Sequence, residues 1–165
     1  MAIRIPIFLL CPSLLTGPQQ ETYDYLCDVL AEEGLQPRAL GRSDFPQSDP
    51  MTEVYYIARA CYGGIILGFK QMAAEAVTLK PDTPAARDVG AVALPTPWNQ
   101  VEAGILIALR RPLLVFAEDG IEGGVFDQGA FPGFLQRLRL AQSDREAVRE
   151  RVRHWSAQVR TVYRS

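Results

Sequence analysis

Histidine is nearly absent. His154 is the single one in 165 residues, so there is no second to complete a histidine metal site. A Ser-His-Asp relay would have to use His154, which falls on the polar side of a C-terminal helical stretch, four residues after Glu150. Cysteine is scarce too: Cys11, Cys27 and Cys61 are odd in number, far apart and without a CxxC pair. That argues against a disulfide framework and a Cys/His zinc centre, and fits a reducing cytoplasm. No metal and no cofactor are implied. Long apolar runs are missing as well. The stretch IPIFLLC has one Arg before it, a Pro inside and no small residue before Cys11. It reads as a buried first strand, not a leader or a membrane span. Charge of one sign is not in large excess, with a net charge of -2. The balance is uneven, because Arg137–Ser165 holds eight Arg against three acids and leaves nine basic and sixteen acidic residues before it. Basic residues on a terminal amphipathic helix usually form a solvated face, so a nucleic-acid partner is not expected.

What is present is an apolar chain, 48% hydrophobic, of a length suited to one domain spanning residues 1–165. Ile3 to Cys11, apolar apart from Arg4, has the pattern of a strand covered on both faces. Thr16 with Gln19 makes a capping box, and Tyr23, Leu26, Cys27 and Leu30 then share a helical face until Gly34. LQPRAL follows as a short strand. Asp49 as cap and Pro50 as first helical residue open a helix that buries Val54, Ile57, Ala58 and Cys61. YGGIILGF is a third strand and PLLVFA a fourth, while the alternation in FLQRLRL predicts a fifth. Between Lys70 and Pro95 the pattern is mixed: MAAEAV favours helix and PDTPAARDVG favours loop. Thr96 caps, and Pro97 opens, a helix to about Arg110 that is expected to pack through Val101, Ile105 and Ala108, with Ala103 and Gly104 keeping it close to the sheet. EDGIEGGVFDQGAFPG is a glycine-rich loop, and EGGVFD within it reads either as a lid on glycine hinges or as a surface turn. Ser143 with Glu146 predicts a second capping box, before a closing helix striped by Val148, Val152, Trp155, Val159 and Val162.

Alternating apolar strands and helices define the expected fold class, α/β. It is a doubly wound, mostly parallel sheet of about five strands with helices on both faces, a Rossmann-like or flavodoxin-like three-layer sandwich. Ligands of such folds sit beyond the carboxyl ends of the strands. Glu102 stands in a segment that otherwise reads as interior, on one helical face with Trp98 and Asn99. A carboxylate in apolar surroundings is paired, hydrogen-bonded or kept for chemistry. The plainer alternative is a Glu favoured by the helix dipole beside a core Trp98.

TPWNQVEAGILIALRRPLLVF followed by EDGIEGGVFD resembles the nucleoside 2-deoxyribosyltransferase-like and TIR-like group of Rossmann-type domains. The matching pattern is Asn99, Glu102, Gly104, Ala108 and the strand after Pro112. More loosely, the likeness takes in the first and third strands, up to about Gln128. It implies cleavage or exchange of an N-glycosidic bond in a nucleoside, a nucleotide or NAD, with Glu102 as the catalytic carboxylate. Asn99 would orient Glu102 or bind a ribose hydroxyl, and Trp98 or Phe69 would stack on the base. Pro12 and Ser13, in CPSLLTG, would bring backbone N–H groups to the ligand. In the deoxyribosyltransferases an acidic residue near the third strand helps bind the base; here that strand ends in Gly68, Phe69 and Lys70, leaving Asp82, Asp88 and Asp127 as candidates for it. Loss of such an acid is what a ligand sensor or adaptor without turnover would show. A homodimer, in which a neighbouring subunit completes the pocket, is implied by the resemblance alone.

Overall fold

The structure is a computed structural model, and it describes residues 4–41 and 49–165. Its main strands are β1 (Ile5–Leu10), β2 (Leu35–Arg38), β3 (Gly64–Gly68), β8 (Leu113–Glu118) and β9 (Gly133–Leu138), with the short β4 (Met72–Ala74), β5 (Thr78–Leu79), β6 (Arg87–Asp88) and β7 (Val92–Leu94) between β3 and β8. The five main strands pair in the order β2-β1-β3-β8-β9, and every neighbouring pair is parallel. The four main helices are α1 (Gly17–Glu32), α2 (Pro50–Ala60), α3 (Trp98–Ala108) and α4 (Arg145–Arg164). On one side of the sheet Leu26, Val29 and Leu30 of α1 and Val148, Val152, Trp155 and Val159 of α4 pack on Ile7, Leu9, Ile65 and Phe116. On the other, Val54, Ile57 and Ala58 of α2 and Ala103 and Leu106 of α3 cover Phe8, Leu10, Ile66 and Val115. The α/β, flavodoxin-like doubly wound expectation is met: β3 is buried along its whole length, as a strand covered on both faces must be.

Local chemistry sets the element ends. The Thr16–Gln19 capping box forms in both directions, at 3.4 Å and 3.0 Å. Gly34 ends α1's run with φ +70. The Asp49 carboxylate accepts from Thr52 N at 2.9 Å at the start of α2. Gly64 is fixed by close approach: a Cβ there would lie 2.2 Å from Leu106 Cδ1, so α3 rests directly on β3.

Four expectations are corrected. MAAEAV is not helical. β4 pairs antiparallel with β7, and β5 with β6, making a hairpin arm between β3 and α3. Cross-strand pairing there overrides a helix propensity that no packed face supports. The helix after Pro95 starts at Trp98, with Pro97 at the cap position and no side-chain cap bond, so Thr96 does not cap it. Its packing face is Asn99, Ala103 and Leu106, while Val101, Gly104 and Ala108 are exposed and Ile105 is half-buried. The helix is apolar almost all round, so periodicity alone could not choose the buried side. Finally, Ser143 caps nothing. It lies in a 3₁₀ turn (Gln142–Asp144), where Asp144 accepts from Arg139 N at 2.8 Å, and α4 begins at Arg145.

The C-terminal arginines are engaged inside the molecule. Arg160 donates to the Glu33 carboxylate at 2.7 Å and to the Glu33 carbonyl at 2.8 Å, Arg149 pairs with Glu32, and Arg145 lies 5.0 Å over the Tyr25 ring. The bond from Arg160, helped by Ser156 and Arg153, holds the Glu33 carboxyl below the usual carboxylate range. Among the described residues no helix is long and apolar enough to cross a membrane.

Candidate active site

A cleft of about 300 Å³ opens where β1 ends, on the α2/α3 side of the sheet. Leu10, Cys11, Pro12 and Ser13 form one wall as the chain leaves β1, and Leu40, Pro50 and Val54 form a second at the end of β2 and the start of α2. Trp98, Asn99 and Glu102, from the first turns of α3, form the third. The cleft sits at the carboxyl end of β1, the strand beside which the order along the sheet reverses, between β1 and β3.

Glu102 has no hydrogen bond or ion pair with any described residue. Burial pushes its carboxyl up to about 8, since removing water penalises the charged form and nothing nearby compensates. It is mostly but not fully buried and lines the cleft, so a ligand can reach it from there while the protein surrounds the rest. Asn99 is 2% exposed, and its Oδ1 has no donor. A buried acceptor left unpaired is costly, and this one is held in the wall of the cleft, closed to solvent. Trp98 is 43% exposed and offers a ring face at the same wall. The plainer alternative for it, a core tryptophan, does not fit that exposure.

Of the residues singled out in the sequence, Pro12, Ser13, Trp98, Asn99 and Glu102 come together. Gly68 and Phe69 do not join them. Phe69 is fully buried with the α1/α4-side core, and Gly68 lies under Phe126, where a Cβ would come 2.3 Å from the ring. Stacking of a ligand on Phe69 is therefore excluded by its burial. Asp127 is outside the cleft: its carboxylate accepts from Gly123 N at 2.8 Å beside a separate open groove that Lys70 also lines. Asp88 accepts from Thr78 on the arm at 2.6 Å, and Asp82 is exposed at the arm's far end with φ +59.

EGGVFD is no lid. Val125 and Phe126 are buried, and Arg137 of β9 donates to Ile121 O and, at 2.7 Å, to Phe126 O. Among the described residues no group of three His, Cys, Asp or Glu side chains is arranged to hold a metal. Sequence reasoning missed the wall from Leu40, Pro50 and Val54; the Asp49–Pro50 cap signature was its only signal, since it marks a helix starting near a strand's carboxyl end. Gln19 does more than its capping signature shows. Besides its cap bond, its Nε2 donates to Glu118 Oε2 at 3.0 Å and to Lys70 O at 3.3 Å. Lys70 N donates to the same carboxylate oxygen at 2.9 Å. That network ties the segment leaving β3 to the end of β8 and to the start of α1.

The fold and cleft define an α/β protein with a carboxyl-bearing crevice at a strand-order switch. No protein-family model and no curated protein matches the sequence. Among solved structures the chain is similar to the Clostridium botulinum CMP N-glycosidase BcmB, with a TM-score of 0.55 and 10% identity over 91% of this chain and 98% of that one. It is also similar to a diflavin flavoprotein A3 from Nostoc sp., with a TM-score of 0.49 and 11% identity over 99% and 97% of the two chains.

Proposed function

We propose that the protein cleaves or exchanges the N-glycosidic bond of a nucleoside, a nucleotide or NAD, with Glu102 as the carboxylate at the sugar. One observation carries this reading: a desolvated, unpaired carboxyl in a strand-end cleft, flanked by an unpaired amide oxygen and an exposed indole face. The fold it shares with a CMP N-glycosidase supports it. As the C1′–N bond breaks, its electron pair leaves with the base and C1′ becomes oxocarbenium-like; a nucleoside base takes up a proton from water, whereas nicotinamide leaves NAD neutral and needs none. Ionised Glu102 stabilises that centre or bonds to C1′, and water or a second base then takes the glycosyl group. In the low-dielectric cleft the anion acts strongly on a developing positive charge and is costly without one, which is the differential binding that catalysis needs. Asn99 forms the wall beside the sugar and Trp98 stacks on the base.

A second reading, a nucleotide-ligand sensor without turnover, is favoured by one feature. Glu102 is the only carboxyl-bearing residue among the described residues that line the cleft, so none of the others is an acid that could protonate a leaving base. Base release measured by chromatography separates the two. With deoxynucleosides, nucleoside monophosphates and NAD as the panel, an enzyme releases base, and Glu102→Gln lowers the rate by about 10²-fold or more while keeping the fold. Its kcat/KM should rise with pH towards about 8, as the free carboxyl ionises. A compound that raises the melting temperature without base release would instead establish the sensor.

A further inference from the structure

α3 starts without a side-chain cap, although it carries the candidate site in its first turns. The N–H groups of Asn99 and Gln100 are taken by turn bonds to Thr96 O and Pro97 O, at 3.1 Å and 3.2 Å. Among the described residues, the side-chain hydrogen bonds that tie this end of the helix to the rest of the molecule come from Gln100. Its Nε2 donates to Gly123 O at 3.0 Å, and its Oε1 accepts from Val125 N at 3.1 Å. Both halves of one planar amide are therefore used on the segment that follows β8.

The receiving segment is shaped for that amide. Gly124, between the two bonded residues, has φ +60, and a Cβ there would fall 2.3 Å from Gln100 Oε1. The segment is also anchored at depth. Phe126 fills the space over Gly68 of β3, Arg137 of β9 donates to Phe126 O at 2.7 Å, and Asp127 ties back to Gly123 N at 2.8 Å. Gln100 thus links the uncapped turn of α3 to a plug fixed on two strands.

We infer that Gln100 is a positioning residue: its amide, seated over Gly124, sets where α3 begins and how it is rotated, and so how deeply Asn99 and Glu102 sit in the cleft. Gln100 itself is exposed and does not line the cleft. The effect on turnover rests on the proposed glycosidic activity, but the mechanical coupling does not. A shift of about 1 Å in a reacting group can cost about 10²-fold in rate, so a loosened first turn would be felt in kcat.

The test uses the full chain as wild type, Gln100→Ala and Gly124→Ala, the last crowding the same amide from the other side. The carboxyl of Glu102 is titrated by carbon-observed NMR, alongside far-UV circular dichroism. The expected result is that Gln100→Ala, with unchanged secondary structure, lets water into the cleft and moves the Glu102 titration down by about one unit or more. In that variant kcat for base release falls by about tenfold or more, with a smaller change in KM. An unchanged Glu102 titration in Gln100→Ala overturns the inference, whatever happens to its melting temperature. If the wild type releases no base from any compound of the panel, the glycosidic reading fails, and the titration still decides the role of Gln100. Gly124→Ala is a second perturbation, and the decision does not depend on its folding.

Discussion

Glu102 sets stability and chemistry against each other. Its carboxyl ionises near 8 in the folded chain against an ordinary value of 4.5. Below the ordinary value both states hold the proton, and the group is neutral to folding. Between the two values the unfolded chain loses the proton while the folded chain keeps it, so folding stability falls as pH rises across that window. Glu102→Gln removes the titration. Thermal melts should show the variant gaining on wild type as pH increases from about 4.5 to 8, with the gain levelling off beyond. A difference in melting temperature that stays constant from about pH 4 to about pH 9 would show that Glu102 is not desolvated. Asn99 belongs to the same conflict, since its unpaired Oδ1 is a cost that packing alone does not offset.

At the scale of elements, two glycines near the same sheet face should behave oppositely. Gly104 sits mid-helix on the outer face of α3, where an added methyl group would find nothing within 4 Å, and its φ is not positive. Gly104→Ala should therefore stabilise the monomeric fold by about 0.5–1 kcal/mol, read as a rise in denaturation midpoint at constant m-value. Gly64→Ala puts a Cβ 2.2 Å from Leu106 Cδ1 and should cost about 1–3 kcal/mol by forcing α3 off the sheet. If both substitutions destabilise alike, the outer face of α3 is covered in solution and Gly104 is there for a close contact. The lock between α1 and α4 shows a different principle. Ser156, fully buried, donates to Glu33 at 3.1 Å and accepts from Arg160 at 2.8 Å, so the polar groups inside that contact satisfy one another.

For the whole molecule, the hairpin arm stands apart from the sheet that carries the site. Its strands pair only with each other, and none of its residues lines the cleft. Replacing residues 75–91 by an Asn-Gly turn should keep β4 paired with β7, because loop length is a weak term in stability and that dipeptide suits a two-residue hairpin. The shortened protein should melt within a few degrees of wild type and bind or turn over the same compounds. Loss of folding would mean that the arm supports the core; loss of ligand response with an intact fold would assign the arm to the site.

The sequence by itself determined the main elements and their order. Long apolar strands, cap signatures at Thr16 and Asp49 and the stripe of α4 are local patterns, written within a few residues of one another, and each formed. It also singled out the cleft's third wall, since Trp98, Asn99 and Glu102 lie within two turns of one helix. The arm, the inward face of α3 and the place of Phe69 were decided only in three dimensions. The arm's strands are stabilised by partners up to about twenty residues away, α3 is apolar on nearly every side, and Phe69 turns to the opposite face of the sheet from the cleft. The raised carboxyl of Glu102 is tertiary too: its neighbours from β1, β2 and α2 are distant along the chain, and a desolvated environment exists only once they have closed around it.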